Sequence, residues 1–158
     1  MGIDPGRIGA IAVLHEDSDG SRGFIHTEEL PYDGRLVSVP SIVDTINMLE
    51  PNMICIEEQA GRPKDGTSAI NTIMRAYGQM VGMCQALQLP LHIVKPALWK
   101  KKILYGYATD VKDGACEYVA TKWPEVNLRP GRKIKAHDGI ADACCISEYG
   151  MILWNRQV

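Results

Sequence analysis

Apolar residues in this chain first gather in runs of strand length and then, from Pro40 onward, recur at helical intervals. The opening Met1-Gly2-Ile3-Asp4-Pro5-Gly6 is a very short apolar start that ends in an acid and a turn. Gly9 to Glu16, Gly-Ala-Ile-Ala-Val-Leu-His-Glu, is a run of strand length bounded by turn residues. A polar turn at 17–23 leads into a third strand, Gly23 to Leu30. Three strands joined by short turns predict an antiparallel meander.

Beyond Pro40 the period changes. Ile42, Val43, Ile46, Met48 and Leu49 predict a helix with Ser41 as its N-cap, ended by Pro51-Asn52. Met53-Ile54-Cys55-Ile56 is a nearly continuous apolar run, as expected of a central strand covered on both faces. It finishes in Glu57 and Glu58. A loop rich in Gly and charge covers 59–68, after which Ile70, Ile73, Met74, Tyr77, Met80, Val81, Cys84 and Leu87 trace a wide helical stripe. This helix, about 20 residues, is predicted to be the longest, with Gly78 and Gly82 leaving room for close approach. Leu91 to Val94 is another strand, and Lys95-Pro96 opens a short helix bearing Trp99. Asp110 to Trp123 is amphipathic with Ala115, Val119 and Ala120 inward, and a basic loop at 127–136 precedes a last helix beginning near His137. A meander followed by alternating helix and strand predicts a mixed α/β sheet flanked by helices, in one domain spanning 1–158.

Composition narrows the partners. The net charge of -2 is nearly balanced, yet residues 95 to 135 hold ten Lys/Arg against four Asp/Glu. A basic region on an acidic body is a candidate surface for a polyanion. Five cysteines, an odd number without repeated C-x-x-C spacing, argue against a disulfide framework and against a zinc site. Cys55, Cys84, Cys116, Cys144 and Cys145 all stand in apolar runs and read as small buried hydrophobes. No apolar stretch approaches the roughly 18 residues of a membrane span, and the basic-then-apolar layout of a signal peptide is missing. The expectation is a cytoplasmic protein with no membrane partner.

Candidate chemistry lies in four acids. Asp138 and Asp142 are four apart, so on a helix they share a face, and the following Ala143-Cys144-Cys145-Ile146 reads as buried. Buried carboxylate pairs need a counter-charge, commonly a divalent metal. Asp4 ends the first strand and Glu57 the fourth. If those strands are neighbours and the last helix crosses them, all four converge on one cleft. Carboxylates without His or Cys select hard ions, Mg²⁺ or Mn²⁺, and two such ions suit phosphodiester hydrolysis. Each acid alone also has an ordinary reading: a turn at Asp4, the polar end of a strand at Glu57, an N-cap at Asp138.

Gly2-Ile3-Asp4-Pro5-Gly6, Ile56-Glu57-Glu58-Gln59 and His137-Asp138-Gly139-Ile140-Ala141-Asp142-Ala143, in that order, resemble the RuvC family of Holliday junction resolvases, especially its phage-type members. Val94-Lys95-Pro96 with Trp99-Lys100-Lys101, and Ile146-Ser147-Glu148-Tyr149-Gly150, extend the match. The resemblance implies a ribonuclease-H-like fold, with a five-stranded mixed sheet of a three-strand meander plus two parallel strands. It further implies a homodimer, in a bacterial host or encoded by a phage, that resolves four-way DNA junctions by paired symmetric nicks. Asp4, Glu57, Asp138 and Asp142 take the positions of the catalytic, metal-holding acids for two Mg²⁺ ions, with Mn²⁺ as substitute, and the products would be a 5′-phosphate and a 3′-hydroxyl. The helix carrying the Ile70 to Leu87 stripe takes the place of the dimer interface. Arg62, Lys64, Lys100, Lys101, Lys102, Arg132, Lys133 and Lys135 are the candidate DNA contacts.

The chain departs from the family in three places. Many members space the two helix acids three apart, and some put a His first, whereas here His137 stands next to Asp138 as either a proton carrier or a structural imidazole. Little precedes Asp4, and the loop after Glu57 lacks the aromatic some members use to disturb base pairs. Two other readings use the same residues: a ribonuclease-H-like nuclease for branched DNA, RNA or RNA-DNA hybrids, and a non-catalytic junction-binding or actin-like phosphate-binding module. The second lacks Gly-rich adenosine-binding signals.

Overall fold

The structure is a computed structural model that describes residues 1–34, 36–61, 66–107 and 114–156. Its centre is a five-stranded sheet built from β1 (Gly2–Asp4), β2 (Ala10–Glu16), β3 (Arg22–Glu29), β6 (Ile54–Glu57) and β7 (Leu91–Val94). The spatial order is β3-β2-β1-β6-β7. The first three strands run antiparallel, while β1 with β6 and β6 with β7 pair parallel. This is the predicted meander plus two parallel strands. A small hairpin, β4 (Tyr32–Asp33) with β5 (Leu36–Val37), was not anticipated, because two-residue strands carry no periodicity.

Helices cover both faces. Side-chain alternation sends Ile3, Ile11, Val13, Ile54 and Ile56 to one face, against α1 (Val39–Leu49) and α2 (Thr67–Ala86). The other face carries Ala10, Ala12, Leu14 and Cys55 against α3 (Pro96–Ile103), α4 (Gly114–Lys122) and α5 (Asp138–Trp154). α5 lies very close to the sheet because both sides are small there. A Cβ on Gly2 would meet the Ser147 nitrogen at 2.3 Å, and one on Gly139 would meet the Ile8 carbonyl oxygen at 1.8 Å. α2 is the longest helix, at 20 residues, as its stripe predicted. Among the described residues, no helix is long and apolar enough to cross a membrane.

Two local expectations change. α1 starts earlier than the sequence pattern implied, with Ser38 at the N-cap, so Ser41 lies inside the first turn and its hydroxyl meets that of Ser38 at 2.8 Å. Pro40 suits that first turn, where its missing N–H costs nothing. On α4, Ala115 and Val119 are inward as expected, but Ala120 faces solvent and Tyr118 takes the inward position. The Tyr118 hydroxyl donates to the buried Glu148 at 2.7 Å, and Lys122 reaches both, fixing α4 against α5. The residues expected to begin this helix, 110–113, lie outside the described residues, as do Arg62 and Lys64. All five cysteines are buried, and none is joined in a disulfide.

Candidate active site

Parallel pairing aligns Gly2 with Cys55 and Ile3 with Ile56, so one step further along the register sets Asp4 beside Glu57. Both carboxylates then stand at the C-terminal edge of neighbouring strands, on the face that α5 covers. Asp142 and Asp138 enter from the first two turns of α5, one above the other. Asp4 is 8% exposed and Glu57 9%, while Asp138 and Asp142 are half-buried.

The site gathers acids whose mutual repulsion Lys100 offsets only in part. Burial pushes the Asp4 carboxyl up to about 8, and the nearby charges of Asp142 and Glu57 add to the rise. Asp142 is raised to about 7, mostly by burial, with Glu57 and Asp138 adding repulsion and Lys100 opposing it. These couplings draw Asp4, Glu57 and Asp142 into one electrostatic group and attach Asp138 through Asp142.

Asp4 and Glu57 are each held by a local device. Asp4 Oδ1 accepts the Gly6 backbone N–H at 2.9 Å, the Asx-turn geometry that the following Pro-Gly favours. Glu57 Oε1 accepts the indole N–H of Trp99 at 2.8 Å, and its Oε2 accepts from the Gln59 side-chain amide at 2.9 Å. Trp99 is completely buried, with the Lys100 ammonium 5.2 Å from its ring centroid. Lys100 thus belongs beside the acids, where it faces Asp4 and Asp142, more than with the exposed Lys101 and Lys102. Neither Trp99 nor Gln59 was singled out from sequence as an active-site residue. A tryptophan at that spacing reads as core, and only the packing of α3 under β6 shows whom its N–H serves.

His137 occupies the capping position of α5. It is 4% exposed and caps α5: its Nδ1 accepts the Ile140 backbone N–H at 3.1 Å. That leaves the ring hydrogen on Nε2, which faces Glu29 at 3.3 Å without the alignment of a hydrogen bond. Asp138 is therefore the first helical residue and not the N-cap. Its Oδ1 lies 4.0 Å from the Cys116 thiol. Of the basic loop, Arg132, Lys133 and Lys135 are all exposed, but Lys133 is engaged with Glu29 at 2.5 Å.

The donors are all hard oxygens, which fits Mg²⁺ or Mn²⁺ and excludes a thiolate or imidazole site. Among the described residues, no three His, Cys, Asp or Glu side chains converge tightly enough to make a finished cage. Mg²⁺ in particular binds through one or two carboxylates and completes its shell with waters and substrate phosphate.

The sequence matches no protein-family model and no curated protein. Its fold, however, matches those of solved resolvases. The RuvC of T. thermophilus in complex with Holliday junction substrate superposes with a TM-score of 0.69 at 14% identity, over 98% of this chain and 94% of that one. The yeast mitochondrial Holliday junction resolvase gives 0.68 at 13% identity, over 99% and 78% of the two chains. The fowlpox virus Holliday junction resolvase gives 0.61 at 13%, over 96% and 99%. The chain shares the fold of these solved structures, with the five-stranded mixed sheet that its motifs implied.

Proposed function

We propose that this chain is a metal-dependent endonuclease that resolves four-way DNA junctions, acting as a homodimer that makes one nick per subunit. The observation that carries the reading is the convergence of Asp4, Glu57 and Asp142, with Asp138 beside them, at one edge of a resolvase-type sheet. Two divalent ions held by these four acids, Mg²⁺ first and Mn²⁺ as substitute, would supply an activated water and neutralise the leaving oxygen of the phosphodiester.

The chain's own groups prepare that chemistry. Burial keeps a proton on Asp4 near neutral pH until positive charge enters, so the site releases protons as it is loaded. Trp99 and Gln59 hold the two oxygens of Glu57 and so fix its orientation. Lys100 offsets part of the negative charge and excludes anions less than the acids alone would. Lys101, Lys102, Arg132 and Lys135 are exposed cations suited to backbone phosphates, which position DNA without reading its sequence.

A second copy finds a suitable surface on α2. Met74 and Leu87 are 38% and 39% exposed, and among the described residues nothing beyond the helix's own neighbouring backbone and the adjoining residues lies within 4 Å of where a Cβ on Gly78 or Gly82 would stand. Pairing two subunits there would fix the separation of two active sites and hence the junction arms they accept. The test is nicking of a synthetic four-way junction, a plain duplex and an RNA-DNA hybrid, with and without Mg²⁺. Symmetric, Mg²⁺-dependent nicks confined to the junction support the reading; equal cutting of all three substrates, or none, removes it.

A further inference from the structure

We infer that the groove between α4 and the basic loop at 127–136 receives an unpaired nucleobase of the strand being cut, with Ile134 as the side chain it packs against. The inference rests on the nuclease reading of the acid cluster. It draws on features that the reading leaves unexplained.

Ile134 is the first. It is 91% exposed between Lys133 and Lys135, so burial gives it no part in stabilising the fold. Its exposure is nonetheless built in. The loop is closed at its base by the His137 N–H donating to the Leu128 carbonyl at 2.7 Å. Within it, Arg129 Nε donates to the Ile134 carbonyl oxygen at 3.1 Å, and the Arg129 backbone N–H to Asn127 Oδ1 at 2.9 Å. An aliphatic side chain held out among cations suits DNA whose bases are accessible, because apolar wedges pack against bases while cations take phosphates.

The groove is the second. It encloses about 980 Å³, near the upper end of small-molecule sites at roughly 300–1,000 Å³. Ala120, Pro124, Val126 and Ile134 give it an apolar wall. Glu117 and Glu125 also line it and would repel a phosphate, yet they can accept from the N–H groups on a base edge. Arg129 and Lys135 are placed to take the flanking phosphates instead. The charge pattern therefore favours a base over a bare backbone. Asp138 is among the residues that line the groove, so its occupant neighbours the acids. A stacked, paired base cannot reach such a pocket, whereas one freed at a branch point can.

The test places 2-aminopurine at successive positions around the nick of a four-way junction and binds the full-length protein with Ca²⁺ replacing Mg²⁺. Among the described residues no aromatic ring lines the groove, so a base seated there escapes stacking and brightens. We expect one position within about two nucleotides of the nick to brighten at least two-fold with the unaltered protein. Ile134→Ser and Ala120→Phe alter exposed positions, so the fold is retained; each should remove most of that signal while changing junction affinity by less than about three-fold. No brightening at any position, or brightening that persists in both variants, overturns the base pocket alone. Failure of the unaltered protein to bind any junction overturns the nuclease reading and this inference with it.

Discussion

The indole N–H of Trp99 donates to Glu57 Oε1 at 2.8 Å, tying the interior of α3 to the carboxylate that ends β6. A buried acceptor that loses its donor is costly and free to rotate. Trp99→Phe keeps most of the buried ring and removes only the hydrogen bond. We predict that junction cleavage falls about ten-fold while junction affinity stays within about two-fold, because the loss is one of orientation at a reacting centre. Single-turnover cleavage rates beside equilibrium binding check this, and an unchanged rate would show that Gln59 alone suffices.

Asp142 has burial, Glu57 and Asp138 all acting against its charge. Replacing it with Asn removes the charge at nearly constant shape. Cleavage should drop by at least about 10³-fold, with junction binding retained, if the carboxylate belongs to the metal-binding group. Cleavage surviving in Asp142→Asn would mean that the acids are misassigned.

The raised carboxyl of Asp4 predicts a pH dependence of stability. Between the unfolded value of 3.8 and the folded value of about 8, the folded state binds the extra proton, so this group's contribution declines as pH rises across that window. Asp4→Asn should therefore stabilise the metal-free protein, by about 1–2 kcal/mol at pH 8 and by little at pH 4. Thermal unfolding at the two pH values in EDTA measures the difference. In the unaltered protein, Mg²⁺ affinity should rise with pH through the same window, since loading expels the proton.

Lys133 and Lys135 are close in sequence but not equivalent. Lys133 is engaged with Glu29, whose carboxyl is held below its usual range first by that lysine and also by His137. Lys133 must leave this partner to meet a phosphate. Lys135→Ala should reduce the slope of log affinity against log salt by nearly one, and Lys133→Ala by clearly less. Equal slopes would show that the Glu29 pair opens at no cost.

Gly139 shows why the motif between the two helix acids needs a glycine. An added Cβ would stand 1.8 Å from the Ile8 carbonyl oxygen, and the neighbour is backbone. Gly139→Ala should cost about 3 kcal/mol or more and lower the melting temperature by several degrees, with cleavage lost through displacement of α5.

Most of this architecture was legible in the chain because the sheet is regular. Strand-length runs at 9–16 and 53–56 and the stripe from Ile70 to Leu87 each obey one period, and the acids fall where strands end. Legibility failed where one short-range pattern fitted two structures. Ser38 and Ser41 both precede apolar residues at helical spacing, and only the backbone distinguishes cap from first turn. Ala120 fits either side of α4, and Tyr118 goes inward because Glu148 offers its hydroxyl a partner. The roles of Trp99, Lys100 and Lys133 depend on contacts 42, 96 and 104 residues away in sequence, beyond the reach of local pattern.

The three-residue strand β1 carries a consequence of its own. Ile3 points into the α1 and α2 core while Asp4 belongs to the opposite face, so a one-residue slip against β6 would drive a carboxylate into the most apolar part of the molecule. Such a misthreaded state would bury an unpaired acid, a cost shared by β6, which ends in Glu57. The acid thereby proofreads the assembly of the strand it terminates: the group proposed to cut DNA also penalises the wrong alignment of its own sheet.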